Sequence, residues 1–296
     1  MRKVRIAFIG FGEVGSVFSE AVSKRGVSVA AYDILFDQRN GLEILKKRTR
    51  VRDLSFLPMA DAVKDADLVF STVTTDVAAA AAEACSKYLK PHQVYLDLNA
   101  AAPSVKRRVA DIVQAAGARF VEGAVLGAVG VTGAKTKILL GGPHGEKTSA
   151  TLTQLGLNAV FYSTEIGKAS SFKMIRSVFS KGLEALLIEF LVAGKRAGIE
   201  KDLWDEITEL FEHNSFEQTA ANWIQSHATA HERRYHEMKQ VTGVLREIGI
   251  DPLLTSSTEA FFKRSCDIGL GEAFTAKPDS KQDVIDFMEK HLNETE

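Results

Sequence analysis

The run Val4-Arg5-Ile6-Ala7-Phe8-Ile9-Gly10-Phe11-Gly12-Glu13-Val14-Gly15 decides the fold. A mostly apolar, β-prone segment passes directly into glycines spaced G-x-G-x-x-G, and a helical pattern opens at Val14. Each glycine has its own task. Gly10 permits a tight turn, Gly12 lets the backbone approach a pyrophosphate, and Gly15 allows helix and strand to pack closely. The pyrophosphate would lie at the helix N-terminus, where unpaired N–H groups and the helix dipole favour an anion. Phe11, Glu13 and Val14 complete the loop around it. A second strand pattern ends at Asp33, 18 residues beyond Gly15. A carboxylate there accepts from adenine-ribose hydroxyls and repels a 2′-phosphate. The expected cofactor is NAD, with NADP as the alternative if Arg39, Lys46 or Lys47 handle the extra phosphate.

Outward from this loop, β-rich runs fall at residues 4–9, 27–32, 68–73, 94–98, 119–125, 137–140 and 159–162, with helix-length segments between most of them. Strands alternating with helices predict βαβ units and a buried, mostly parallel sheet. The fold class is α/β: a Rossmann-type domain over residues 1–163, then an all-α domain over 164–296 for substrate and dimerisation. Thr72 and Val73, closing the third run, and Asn99, just past the fourth, are further expected cofactor contacts. Beyond residue 163 the period becomes helical. Phe172, Ile175, Phe179, Leu183, Leu186, Leu187, Phe190 and Leu191 mark a helix of about thirty residues, or ~45 Å. Further helices are expected at 202–213, 217–230, 232–248, 253–269 and 281–292. So long a helix suits a partner subunit, and a homodimer is expected.

The 296 residues carry 37 Lys+Arg and 38 Asp+Glu, a net charge of −1 that leaves no electrostatic footprint for nucleic acid or an anionic membrane. Cys85 and Cys266 are the only cysteines, too few for a disulfide framework or a four-cysteine zinc site. Met1-Arg2-Lys3 is basic, but the apolar stretch behind it runs straight into glycines without a cleavage pattern. Residues 183–193, the longest apolar stretch elsewhere, are interrupted by Glu184 and Glu189 and are too short to span a bilayer. A cytoplasmic protein is expected.

Lys173 lies six residues after Gly167 on the long helix. Alone, a lysine on an amphipathic helix is ordinarily a solvated, snorkelling residue. In order along the chain, however, stand Asp97-Leu98-Asn99-Ala100 with Pro103, then Glu122-Gly123-Ala124-Val125-Leu126-Gly127-Ala128, Gly141-Gly142, Lys173, His236-Glu237-Met238 and Gly269-Leu270-Gly271-Glu272-Ala273-Phe274-Thr275-Ala276. Together with the glycine loop, this series resembles the β-hydroxyacid dehydrogenases, such as 3-hydroxyisobutyrate dehydrogenase, tartronate semialdehyde reductase and the 6-phosphogluconate dehydrogenases.

The resemblance implies nicotinamide-dependent oxidation of a hydroxyl or reduction of a carbonyl on an anionic small molecule. Lys173 falls on the family's catalytic lysine, a general base when neutral and a general acid when charged. The resemblance places Asn99, Leu126, Gly127, Ala128, Ser177 and His236 at substrate positions. Several of these depart from the family pattern. Ser177 stands for an asparagine, Leu126 for a serine, Asn99-Ala100 for a Ser-Thr pair and His236 for a lysine. Backbone N–H groups near Gly127 and Ala128 remain available to an oxyanion. The pattern marks a divergent branch.

Three other groupings stand out in the sequence. His227 and His231, spaced i, i+4, lack a third ligand at a recognisable offset, so no metal is expected. Arg233-Arg234 with Lys239 could form an anion site, although such charge runs are usually solvated helix faces. Trp204, Phe211, Phe216 and Trp223 read as helical core. Competing functions are oxidative decarboxylation of a sugar acid, imine reduction, and dinucleotide binding without turnover. Relatives that reduce imines usually lack the lysine.

Overall fold

The computed structural model describes residues 4–291. The Met1-Arg2-Lys3 start and the end of the last expected helix lie outside these. The chain divides after Val178 into two compact units.

In the first unit, strands β1 (Arg5–Ile9), β2 (Ser28–Tyr32), β3 (Ser55–Phe56), β4 (Leu68–Ser71), β5 (Val94–Asp97), β6 (Arg119–Leu126), β7 (Lys137–Gly141) and β8 (Ala159–Ser163) form one sheet in the order β3-β2-β1-β4-β5-β6-β7-β8. All neighbours are parallel except β6 and β7. Edge strand β3 was not expected. Its two residues are too short to carry a periodic signal. Between the strands run α1 (Glu13–Ser23), α2 (Gly41–Lys47), α3 (Met59–Val63), α4 (Ala78–Ser86), α5 (Pro103–Ala115), α6 (Val129–Thr132) and α7 (Gly145–Gln154).

Alternation along the strands builds two cores. Ile6, Phe8, Phe70, Leu96 and Ile138 pack on one face, while Ala7, Ile9, Val69, Tyr95 and Phe120 pack on the other. A parallel sheet needs this double cover. The strand order reverses between β1 and β4. Open α/β sheets bind ligands beyond the strand C-termini at such a switch point.

Helix α8 (Lys168–Ala197) follows the sheet and continues past Val178. In the second unit lie α9 (Glu200–His213), α10 (Phe216–Glu247), α11 (Leu253–Asp267), α12 (Leu270–Ala273) and α13 (Lys281–His291). Two helices were expected over 217–248, and they are one helix of 32 residues. Neither glycine nor proline interrupts Ala230-His231-Glu232, and Ser215 with Gln218 forms a capping box that fixes the start. Within this unit the Glu189 carboxylate accepts from the Leu254 and Thr255 N–H groups, each at 2.8 Å, and so caps α11.

The aromatic residues expected in the helical core differ from that expectation. Phe216 is 52% and Trp223 47% exposed, and Trp204 and Phe211 are exposed as well. Phe179, Phe216, Phe211 and Trp223 instead contact one another in series at the surface. Among the described residues no helix is long and apolar enough to cross a membrane. No group of three or more His, Cys, Asp or Glu among them is arranged to hold a metal ion.

Candidate active site

The glycine loop is held at several points. Gly10 donates to Tyr32 O at 2.8 Å, and the Thr72 hydroxyl donates to Gly10 O at 2.6 Å. Gly10 has φ +86°, and a Cβ there would lie 2.6 Å from Thr72 O. At Gly15 a Cβ would lie 2.8 Å from Gly10 O. Both positions exclude side chains by contact. Gly12 differs: a Cβ there would meet nothing within 4 Å. It also caps α1 without offering a side-chain acceptor. The helix start therefore has room in front of it and N–H groups in need of acceptors. That combination fits a pyrophosphate.

Asp33 ties this loop to β2. Its Oδ2 accepts the Phe11 N–H at 2.7 Å and its Oδ1 the Leu35 N–H at 3.0 Å. Each carboxylate oxygen keeps acceptor capacity for a ribose hydroxyl. The Phe11 ring is buried 5.0 Å from that of Phe56, so Phe11 offers the site its backbone only. Nearby, the Tyr32 hydroxyl donates to Asp37 at 2.6 Å. That bond, partial burial and the charges of Asp37 and Asp33 push its pKa up to about 12.

Arg48 escaped the sequence reading. Its guanidinium donates to Phe11 O at 3.1 Å, and its own carbonyl accepts from the Ser16 hydroxyl. Arg39, Lys46 and Lys47 are exposed. The signal for Arg48 was only its place in the same basic stretch, because a brace between a helix end and a loop 37 residues earlier has no local pattern.

Beyond the C-terminal ends of β1, β4 and β5 a cavity of about 350 Å³ is lined by Glu13, Val14, Thr72, Val73, Asn99, Gly127, Ala128 and Lys173, among others. Residues 160 apart in sequence thus share one wall. Asn99 is buried, with its Nδ2 donating to Ser71 Oγ at 2.9 Å and its N–H to Asp97 Oδ1 at 2.9 Å. Its Oδ1 has no protein partner, which suits a donor on a bound molecule. Lys173 is half-buried on the first turns of α8.

Beneath this cavity lies a buried charge pair. Lys106 Nζ meets Asp97 Oδ1 at 3.2 Å and donates to the carbonyls of Asp97 at 2.8 Å and Gly123 at 3.3 Å. Burial lowers the Lys106 pKa, opposed by the charges of Asp97 and Glu122.

Other expected substrate residues fall elsewhere. Leu126 packs against Ala124, Leu139 and Ala169 and does not line the cavity. Strand alternation explains this, since Ala124 and Leu126 share a face. The Ser177 hydroxyl donates back to Lys173 O at 3.0 Å, one turn earlier on α8. His236 is exposed on α10 in the second unit, its ring 5.2 Å from that of Tyr235. Arg233 pairs with Glu237, and Arg234 donates to Ser226 Oγ at 2.8 Å. Both guanidiniums are engaged along their own helix. His227 and His231 are buried, with His227 Nε2 2.9 Å from Ser265 Oγ.

Residues 5–162 match the family model of the NAD binding domain of 6-phosphogluconate dehydrogenase. The chain belongs to this family. Residues 5–162 are therefore an NAD-binding domain of the oxidoreductase type. Residues 195–265 match a domain of unknown function (DUF1932). Over 212 residues the chain is 24% identical to rat mitochondrial 3-hydroxyisobutyrate dehydrogenase, a stretch covering 69% of this chain and 61% of that enzyme. Among solved structures, a conserved protein from Sinorhizobium meliloti is 28% identical with TM-score 0.62, covering 98% of this chain and 97% of its own. A second conserved protein, whose structure is described as similar to 3-hydroxyacid dehydrogenases, is 31% identical with TM-score 0.59, covering 89% and 97%. An imine reductase variant from Myxococcus stipitatus in complex with NAD+ shares the fold at TM-score 0.77 and 18% identity, covering 97% and 100%.

Proposed function

We propose that the protein is a cytoplasmic, NAD-dependent oxidoreductase that oxidises a hydroxyl, or reduces the matching carbonyl, of an anionic hydroxy-acid-like molecule. The observation that carries this reading is that Lys173 lines the same cavity as Asn99, Gly127, Ala128 and the start of α1. NAD, held by the glycine loop and Asp33, would supply the hydride acceptor or donor for the substrate carbon. The chain's own task is to move the proton on the substrate oxygen. Lys173 Nζ takes it during oxidation and returns it during reduction, a role worth typically about 10²–10⁴-fold in rate. Asn99 orients a donor through its free Oδ1, and the backbone at Gly127 and Ala128 receives the oxygen or the carboxylate. Residues 1–163 hold the cofactor, and residues 164–296 supply Lys173 and the contacts of a homodimer.

The second reading is imine reduction, which the likeness of fold to imine reductases keeps in view. A lysine among the cavity walls favours the hydroxyl reading, because an alcohol proton needs a base. The test is a panel of 2- and 3-hydroxy acids with NAD+, run beside cyclic imines with NADH. Turnover confined to hydroxy acids supports the proposal. Turnover confined to imines overturns it.

A further inference from the structure

Glu122, on β6, has no solvent exposure. A carboxylate at that depth is costly unless its oxygens find donors. Both do, and both donors belong to the start of α8. Oε1 accepts the Ala169 N–H at 2.8 Å, and Oε2 shares the Ser170 hydroxyl, at 3.1 Å, with the Gly167 carbonyl at 3.0 Å. The first N–H groups of a helix lack partners within it, and the helix dipole favours an anion there. The sheet is shaped to admit this carboxylate. Gly141 is the β7 register partner of Glu122, and a Cβ on Gly141 would lie 2.5 Å from Glu122 Oε1. On the other side the register partner is Asp97, itself paired with Lys106.

Lys173 is four residues beyond Ala169, so the two share one stripe of α8 about one turn apart. Ala169 is fully buried against Ala124 and Leu139. A clamp on Ala169 and Ser170 therefore sets both the height and the rotation of α8 over the sheet. We infer that Glu122 is a positioning residue for Lys173: its carboxylate, admitted by Gly141, fixes the first turn of α8 so that the lysine faces the cavity. This rests on the reading of Lys173 as the acid–base group.

The test compares Glu122→Ala and Glu122→Gln in the full chain. Glutamine keeps an acceptor for the Ala169 N–H and can donate to Ser170 Oγ, so it preserves the clamp without the charge. The main readout needs no substrate. Lysines are reductively dimethylated with a carbon-13 label, and the Lys173 resonance is assigned by its absence in Lys173→Arg and followed on addition of NAD+ alone. Glu122→Ala should move that resonance towards those of exposed lysines and abolish its NAD+ response, while NAD+ affinity is retained; Glu122→Gln should resemble the parent. With a substrate in hand, kcat of Glu122→Ala should fall by on the order of 10–100-fold, the scale of a misplaced catalytic group, with KM for NAD+ unchanged. An unaltered Lys173 resonance in Glu122→Ala overturns the inference, and so does a glutamine variant as damaged as alanine. Should Glu122→Ala not fold, Ser170→Ala and Gly141→Ala must each shift the resonance, and no shift in either overturns it. Lys173→Ala run in parallel separates the two ideas: full turnover there refutes the acid–base reading, while the resonance still judges Glu122.

Discussion

Asp33 shows how one side chain serves structure and recognition together. Its carboxylate is braced by the Phe11 and Leu35 N–H groups, which aims it without exhausting its lone pairs. A 2′-hydroxyl is welcomed and a 2′-phosphate repelled. We predict tighter binding of NAD+ than of NADP+ in calorimetric titration, with the preference reduced in Asp33→Asn. NADP+ bound tenfold more tightly, about 1.4 kcal/mol the other way, would refute this assignment. His227 makes a different residue-scale case. Burial, then the charges of His231 and Arg234, lower its pKa from 6.5 to about 4. The unfolded chain therefore binds the proton more readily, so this histidine's contribution is complete above 6.5 and is lost as pH falls towards 4. Between about pH 7 and about pH 5 it should cost about 2 kcal/mol of stability. Urea unfolding of His227→Gln at the two pH values should show a loss smaller by that amount. An identical loss in both proteins would contradict the shift.

At the scale of elements, β5 and α5 are joined by the Lys106–Asp97 pair, buried at both partners, and Lys106 also donates to the Gly123 carbonyl of β6. Removing one partner of such a pair leaves an uncompensated charge and typically costs about 3–5 kcal/mol. Lys106→Met should therefore lower the unfolding free energy by that range in urea titration, and adding Asp97→Leu should recover much of it. A Lys106→Met protein as stable as the parent would show the pair to be idle. This pair also marks where the sequence stopped being legible. The glycine loop, the seven main strands and the long α8 could be read because turn chemistry and periodicity are local. Strand β3 is too short to show a period, and the merger of two expected helices into α10 followed from an absence of breakers. Lys106, Glu122 and Arg48 gain their meaning from partners 9, 47 and 37 residues away. Spacing alone does not reveal such contacts. Motif order places Leu126 at a substrate position, whereas strand alternation turns it onto Ala169.

For the whole molecule, the exposed apolar surface sets the expectation. Ile175 is 70% and Val178 75% exposed on α8, and the Phe216–Trp223 aromatic series lies open in the second unit. Monomeric proteins seldom leave large contiguous apolar patches in water. We predict a homodimer that covers these residues, with an interface above about 2,000 Å². Sedimentation at micromolar concentration should give twice the 32.3 kDa chain mass, and a monomer would contradict this. Fold, cofactor loop and cavity meet in the claim that Lys173 carries the proton, and one measurement tests it most directly. Turnover of a responsive hydroxy acid is compared in parent and Lys173→Ala proteins, with NAD+ affinity measured on both. NAD+ affinity should be unchanged and turnover should fall by about 10²–10⁴-fold. Turnover within about fivefold of the parent, well below that range, would show that the proton travels by another group.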